Sequence, residues 1–430
     1  MIAKDTGFVK RESKLSGALF LDLVVFNSEN LKNQSLNDLS IVLQEEHGVE
    51  ITKQSLHERF NESAVLFLKE ALELLLKKQL EVEPYLLELK GINRILIKDS
   101  VCFQIDESLS EYYPGSGGDG SKAAVRIQFE YDLLSGKICD VSLNAFNNQD
   151  ATNSMSTIHL LKSGDLVIRD LAYVGLDVLK KIVGKMAFYL CRPGTNVKIY
   201  ECKEDEYVEI QFHELHREMK KNNADMIEKE VYIGKNHRLK TRLIIHLMPP
   251  QEVEKRIRNA RKNNKKKGRN APTKEYIARL YFNLFITNTD AETIPAQNVW
   301  SLYRLRWQVE LIFKIWKSIC NIEKVKKVKK HRLECHIYSK LIFILLGWKI
   351  VWKIAENLFK LENKALSFYK SFKTLMKVKI KELRTVFRSG SQQIGEFISD
   401  FYLISRTKHL LEGKKGGLAS MELLMSCSTD

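Results

Sequence analysis

Apolar positions recur at helical spacing up to about residue 80, at strand-like spacing from residue 92 to about 191, and at helical spacing again from residue 303. The first stretch predicts a helix from Ala18 to Asn27, then one from Ser35 to His47 with Ser35 as N-cap and Gly48 as breaker. A third helix runs from Thr52, its cap, to Phe60, and a longer amphipathic one from Ser63 to Gln79. Helix, short glycine-containing turn, helix is the helix-turn-helix plan and also that of a plain αα-hairpin. Lys53, Gln54, Ser55, His57 and Arg59 on the third helix have side chains able to reach base edges or phosphates.

The second stretch predicts strands at residues 94–105, 124–131, 137–143, 165–170 and 185–191, with short helices at 154–162 and 173–184. The loop Pro114–Ser121 is glycine-rich and Asp132–Gly136 turns the chain. Three strands, helix, strand, helix, strand is the order of a ribonuclease-H-like fold, and open sheets of this kind place ligands at the carboxyl ends of their strands. Asp99 lies inside the first, apolar strand and Asp170 ends the fourth. A carboxylate in an apolar strand is costly to bury unless paired or metal-bound. Asp106, Asp165 and Asp177 are expected at loop or exposed positions. Residues 197–200, 207–212, 230–233 and 239–248 alternate like strands of a β-rich insertion, and residues 280–287 read as one more strand. The run from Lys255 to Arg269 holds cations and no acid, as does Lys324–Arg332. The first run reads either as a solvated or disordered segment or as a phosphate clamp.

Residues 303–317 contain no Gly or Pro and predict one helix. At about 100° per residue, Tyr303, Arg306, Glu310 and Lys317 fall in one stripe about 60° wide, while Leu305, Val309, Ile312 and Trp316 lie elsewhere and pack. A carboxylate, two cations and a phenol in one stripe suit a metal ion beside a phosphodiester. From geometry alone the simpler reading is a solvated face with Arg306 and Glu310 as an i,i+4 pair.

The spacing Tyr303-x2-Arg306-x3-Glu310-x6-Lys317 resembles the signature of the IS-four family of DDE transposases, and a looser likeness runs from about Phe20 to Leu346. Asp99-Ser100 resembles the family's first acid, followed by Ser or Thr. Asp170-Leu-Ala-Tyr173 keeps the Asp and Tyr of its Asp-Arg-Gly-Tyr pattern and lacks the middle pair. The resemblance implies an α/β multidomain chain. Residues 1–85 would form a helical DNA-binding domain and 90–195 with 280–330 a ribonuclease-H-like catalytic core. Residues 196–279 would form the β-rich insertion and 331–430 a C-terminal helical region. It implies that Asp99, Asp170 and Glu310 hold two Mg2+ or Mn2+ ions for strand cleavage and transfer in cut-and-paste transposition. It assigns Tyr303, Arg306 and Lys317 to the DNA backbone, and Lys53, Gln54 and Arg59 to the terminal repeats. Trp300 and Trp307 are candidates for stacking on a flipped base, though core packing is the simpler reading of each. The partner would be double-stranded DNA, both transposon ends and target, held by a homodimer in the DNA complex. Two other readings fit the same residues: an inactive DNA-binding derivative, and a different ribonuclease-H-like nuclease.

Composition narrows this further. The 430 residues carry a formal charge of +16, which favours a polyanionic partner. An apolar content of 44% provides real cores. No apolar h-region follows the first residues, and Leu341–Trp348 is too short to span a bilayer, so no membrane partner is expected. The seven cysteines form no Cys-x2-Cys pair, which fits a reducing cytoplasm. Cys320, His331, Cys335 and His336 match no zinc spacing and read as ordinary thiols and surface histidines.

Overall fold

The computed structural model describes residues 2–11, 13–28, 35–77, 91–116, 120–148, 150–170, 173, 175–195, 197–235, 239–389 and 391–411. Gln79, residues 117–119 of the glycine-rich loop, Leu171, Ala172 and residues 412–430 lie outside these. The strands are β1 (Arg94–Gln104), β2 (Ala124–Asp132), β3 (Ile138–Ala145), β4 (Asp165–Arg169), β5 (Phe188–Cys191), β6 (Ile199–Lys203), β7 (Glu206–Glu209), β8 (Met226–Ile233), β9 (Leu239–Leu247) and β10 (Phe282–Thr287). The protein is mixed α/β with a large sheet. Its chain divides into two compact units, one holding residues up to Leu86, Ser100–Asn148 and Trp307 onward, the other Leu87–Asp99 and Gln149–Arg306.

In the second unit the strands lie in the order β1-β4-β5-β10-β9-β8-β6-β7. β1, β4 and β5 run parallel, and β10 turns the direction by pairing antiparallel with β5 and β9. All five residues of β4 are buried, as expected of a central parallel strand covered on both faces. Burying Leu166, Val167 and Ile168 there contributes roughly 1.5–3 kcal/mol each. Asp165, expected at an exposed position, is fully buried, and the Arg94 guanidinium opposite it donates to both carboxylate oxygens at 2.7 and 2.5 Å. The β-rich segment continues this sheet through β10, β9, β8, β6 and β7. The segment also holds a helix that strand-like alternation hid. Phe212–Lys221 buries Phe212, Leu215 and Met219 at helical spacing. The basic run is ordered as the helix Pro250–Lys266, opened by proline at its first turn and burying only Val253.

In the first unit, helices Gly17–Phe26, Leu36–His47, Lys53–Arg59 and Glu62–Lys77 follow the predicted caps. Ser35 and Asp38 close a reciprocal capping box, Gly48 ends its helix at φ 63°, and Thr52 Oγ1 accepts from the Ser55 N–H. Glu62–Lys77 packs on the 33-residue helix Lys330–Glu362, so the N-terminal helices share a core with the C-terminal ones. That long helix buries Leu341–Leu345, and among the described residues no helix is long and apolar enough to cross a membrane. His336, expected at the surface, is buried within it. Burial, then the charges of Arg332, Lys340 and Lys326, press its pKa down to about 3, which keeps it neutral. Phe129, Phe313, Trp316 and Trp348 form an aromatic core, with ring centroids 5.0 Å apart for Phe129 and Trp316.

Asp22, Glu46 and His47 bring three metal-type ligands within 4.8 Å of one another. Two guanidinium groups already stand there. Arg388 lies 2.6 Å and Arg384 2.8 Å from Asp22, and both also pair with Glu46. A cation would face two positive charges, so this is an ion-pair latch between the helices of Asp22, Glu46 and the segment Ile380–Ser389. Burial works against the Asp22 charge, but the hydrogen bonds from Arg388 and Arg384 outweigh it and hold the carboxyl below its usual range.

A depressed carboxylate pKa stabilises the fold above the unfolded value near 3.9, and that contribution is lost as pH falls through the folded value. Asp22→Asn should therefore cost about 2 kcal/mol at pH 7 in urea denaturation, with the gap to wild type closing below about pH 4. A gap independent of pH would refute the latch. A second prediction concerns Gly136, at φ 67° beneath Trp352, where an added Cβ would lie 2.0 Å from the indole. Gly136→Ala should cost about 3 kcal/mol, and a loss under about 0.5 kcal/mol would contradict this packing.

Candidate active site

β1 and β4 are paired in parallel from Arg94 with Asp165 to Lys98 with Arg169. The constant offset, 165 − 94 = 71, carries one residue further to Asp99 and Asp170. Adjacent strands lie about 4.8 Å apart, so two carboxylates stand side by side where β4 ends. Side chains alternate across a sheet, which puts Lys98 and Arg169 on the opposite face. There Lys98 Nζ donates to Thr157 Oγ1 at 2.9 Å and the Arg169 guanidinium donates to Ser154 Oγ, anchoring this end of both strands beneath the segment Asp150–Leu160. The acids share their face with Ile95, Ile97, Leu166 and Ile168, all buried.

The stretch 303–317 is not one helix. Ala296–Arg304 ends, Leu305 and Arg306 turn, and Trp307–Ser318 begins anew. Leu305 and Arg306 bond back to Leu302 and Tyr303, a tighter i→i+3 pattern. Continuous helical geometry therefore does not set the relation of Tyr303 to the residues beyond the turn. What the turn achieves is visible within the second unit, where Arg306 Nη1 donates to Asp99 Oδ2 at 3.2 Å. The Arg306 side chain is largely buried, so this charge pair is poorly screened.

Tyr303 lies in the last turn of the first of the two helices, buried with its ring 5.1 Å from that of Phe285 on β10. Burial, then the charge of Asp170, push its phenol up to about 12, with Arg306 and Arg192 opposing. It is thus a protonated hydrogen-bond donor at neutral pH. Asp99, Asp170, Tyr303 and Arg306 come together at the carboxyl ends of β1's first half, β4 and β5. Arg192, the residue after β5, is felt electrostatically by Tyr303 and was not singled out from sequence. Its only sequence signal is a cation closing an apolar strand.

Glu310 and Lys317 belong to the other unit, on Trp307–Ser318. Glu310 is exposed in the helix's first turn, and Lys317 lies 3.8 Å from Glu323. Val309, Ile312 and Trp316 are buried as expected. Trp300 packs against His246 and Phe285, whereas Trp307 is 58% exposed and is not core. In the N-terminal helices Lys53, Gln54 and Ser55 are exposed, His57 and Arg59 are half-buried, and Leu56 is the buried contact. Gln54 Nε2 reaches Glu58 at 3.4 Å.

Asp99 and Asp170 offer hard oxygen donors from neighbouring strands, the donor type that Mg2+ and Mn2+ take.

Comparison with known proteins bears on the whole chain. Residues 90–346 match the family described as Transposase DDE domain. The transposase for insertion sequence element IS231F of Bacillus thuringiensis subsp. israelensis is 33% identical over 386 residues, covering 86% of this chain and 80% of that protein. The transposase for insertion sequence element IS1151 of Clostridium perfringens is 29% identical over 390 residues, covering 87% and 82%. The cryo-EM structure of a piggyBac transposase synaptic complex with hairpin DNA superposes with a TM-score of 0.43 at 10% identity, over 93% of this chain and 80% of that one, too low a score to carry the fold. The match over residues 90–346 and the curated relatives together make the chain a member of the DDE transposase family.

Proposed function

We propose that the chain is a DNA transposase of the IS-four type that binds terminal inverted repeats and catalyses strand cleavage and strand transfer by a cut-and-paste route. The observation that carries this is the in-register pair Asp99–Asp170 with Arg306 and Tyr303 beside it, in a chain of the DDE transposase family. Asp99, Asp170 and Glu310 are the residues that would hold the metal, within a ribonuclease-H-like core. Bound there, two Mg2+ ions would activate the attacking oxygen and stabilise the leaving oxygen of an in-line phosphoryl displacement.

The chain's own residues do the positioning. Arg306 restrains the Asp99 carboxylate, and its guanidinium would meet a phosphate oxygen as a planar fork. Tyr303 keeps its proton up to about pH 12 and donates one hydrogen bond to the same backbone. Lys317 adds a point charge further along the strand. Lys53, Gln54 and Arg59 lie on the second helix of the helix-turn-helix, which would enter the major groove of the repeat. Joining two ends requires two copies of the chain, so the DNA complex would be a homodimer. The exposed Trp307 is the better placed of the two tryptophans to stack on a flipped base.

The deciding experiment is Mg2+-dependent cleavage of a labelled duplex carrying the ends that flank this gene. Glu310→Ala should lower cleavage by about 10²-fold or more while end binding stays within about threefold. Cleavage at the wild-type rate would remove Glu310 from the active site, and specific binding by wild type without cleavage would favour the inactive DNA-binding derivative. Because the N-terminal helices share a core with Lys330–Glu362, point substitutions test recognition more cleanly than deletion. Lys53→Ala with Gln54→Ala should weaken binding to the end sequence about tenfold relative to random duplex. An unchanged ratio would sink the helix-turn-helix reading.

A further inference from the structure

Beyond the carboxyl end of β5 the second unit contains a cavity of about 320 Å3 bounded by Arg192, Arg256, Asn259, Asn263, Tyr276 and Arg279. Three guanidinium groups converge on it, and no carboxylate lines it. Two of the three are structural. Arg279 donates to the carbonyls of Pro193, Gly194, Thr195 and Val197, at 2.7 Å for Gly194, and lies 5.1 Å from the Phe212 ring. Arg256 donates to Leu280 O, Phe282 O and Asn283 Oδ1. These bonds fix the loop after β5 and seat helix Pro250–Lys266 against the start of β10. Two acids outside the lining, Glu275 and Glu252, offset part of this charge. Glu275 accepts from the Phe212 N–H at 2.6 Å and holds His213, and Glu252 stands exposed in the helix's first turn.

The third cation, Arg192, is exposed at the rim. Burial and then Arg192 press Arg256 below its ordinary value. Burial presses Arg279 to about 10, with Glu275 opposing and Arg192 adding to the fall. Like charges held this close, two of them partly desolvated, cost free energy that a bound anion would return. The neutral donors suit a tetrahedral anion as well, since Asn259, Asn263 and Tyr276 offer amide and phenol protons. Arg256, Asn259, Ala260 and Asn263 are spaced i, i+3, i+4, i+7 and so form one helix face, with Lys255, Arg258, Arg261, Lys262, Lys265 and Lys266 exposed around it. From Lys255 to Lys266 this makes a basic rail about 18 Å long.

We propose that this cavity is a phosphate site for the sugar–phosphate backbone of a DNA strand that runs along helix Pro250–Lys266 toward the Asp99–Asp170 pair. The inference rests on the transposase reading in taking DNA as the polyanion. Arg192 joins the two places, because it lines the cavity and directly follows β5, the strand paired with β4 up to the residue before Asp170. The cavity would bind phosphate without regard to base sequence and set the path of the strand.

The test measures binding of the full chain to a fluorescein-labelled 30-base-pair duplex of random sequence by anisotropy, across a series of KCl concentrations. Arg192→Ala should weaken binding about tenfold at 0.1 M salt and reduce the salt slope by about one, the signature of one lost phosphate contact. Arg192→Lys should restore most of both. Asn263→Asp, which places a carboxylate in the cavity through an exposed position, should act in the same direction. Lys235→Ala removes an equal charge at an exposed site outside the cavity and should leave the slope unchanged. The site is overturned if Arg192→Ala matches wild type, or if Lys235→Ala loses as much. Wild type failing to bind any duplex would instead remove the DNA reading, and this inference with it.

Discussion

Everything at the candidate site depends on the parallel register of β1 and β4. That register is set by buried residues with no chemical role, chiefly Ile95, Leu96, Ile97, Leu166, Val167 and Ile168, and is pinned by the buried Arg94–Asp165 pair at its start. A slip of one residue would turn every side chain to the other face and move Lys98 or Arg169 into the place of an acid. The hydrophobic sheet thus does the electrostatic work of forcing two carboxylates together. Removing Arg94 would leave the Asp165 charge buried alone, so the pair specifies register more than it adds stability.

The acids at the far end of this register are then managed by groups brought from elsewhere in the chain. Arg306 reaches Asp99 because the helix carrying Tyr303 stops at Arg304 and the chain turns before Trp307. Tyr303 is held in an apolar setting against Phe285 beside the Asp170 charge, and both effects keep its proton on. Burial, charge and a broken helix act on the same few atoms. The candidate site thus carries acids and positive anchors within one small volume.

The cation distribution in the second unit follows the same physics. Arg94, Arg256 and Arg279 are consumed by carboxylates and backbone carbonyls, which makes them part of the scaffold. Arg192 and the outer residues of helix Pro250–Lys266 remain exposed, and they carry the excess positive charge of this unit to solvent. In the first unit, by contrast, Arg384 and Arg388 spend their charge on Asp22 and Glu46 and hold the segment Ile380–Ser389 to the N-terminal helices.

The sequence by itself determined the local elements wherever one rule dominated. Ser35 and Thr52 start their helices because a hydroxyl can take an orphan N–H, and Gly48 ends one because it accepts a positive φ. The apolar runs of β1, β4 and β10 announced buried strands, and the isolated acids at Asp99 and Asp170 announced themselves as costly. Sequence went astray where two periods coincide or where the decisive contact is remote. Phe212–Lys221 hid behind strand-like alternation, and the stripe computed for residues 303–317 presumed a helix that the turn at Leu305 and Arg306 interrupts. Asp165 and His336 gave no local sign of burial, since what buries them is contributed by residues far along the chain. Only the tertiary structure decided the register of β1 on β4, the reach of Arg306 to Asp99 and the gathering of Arg192, Arg256 and Arg279, because each joins residues whose separation in sequence carries no periodic signal.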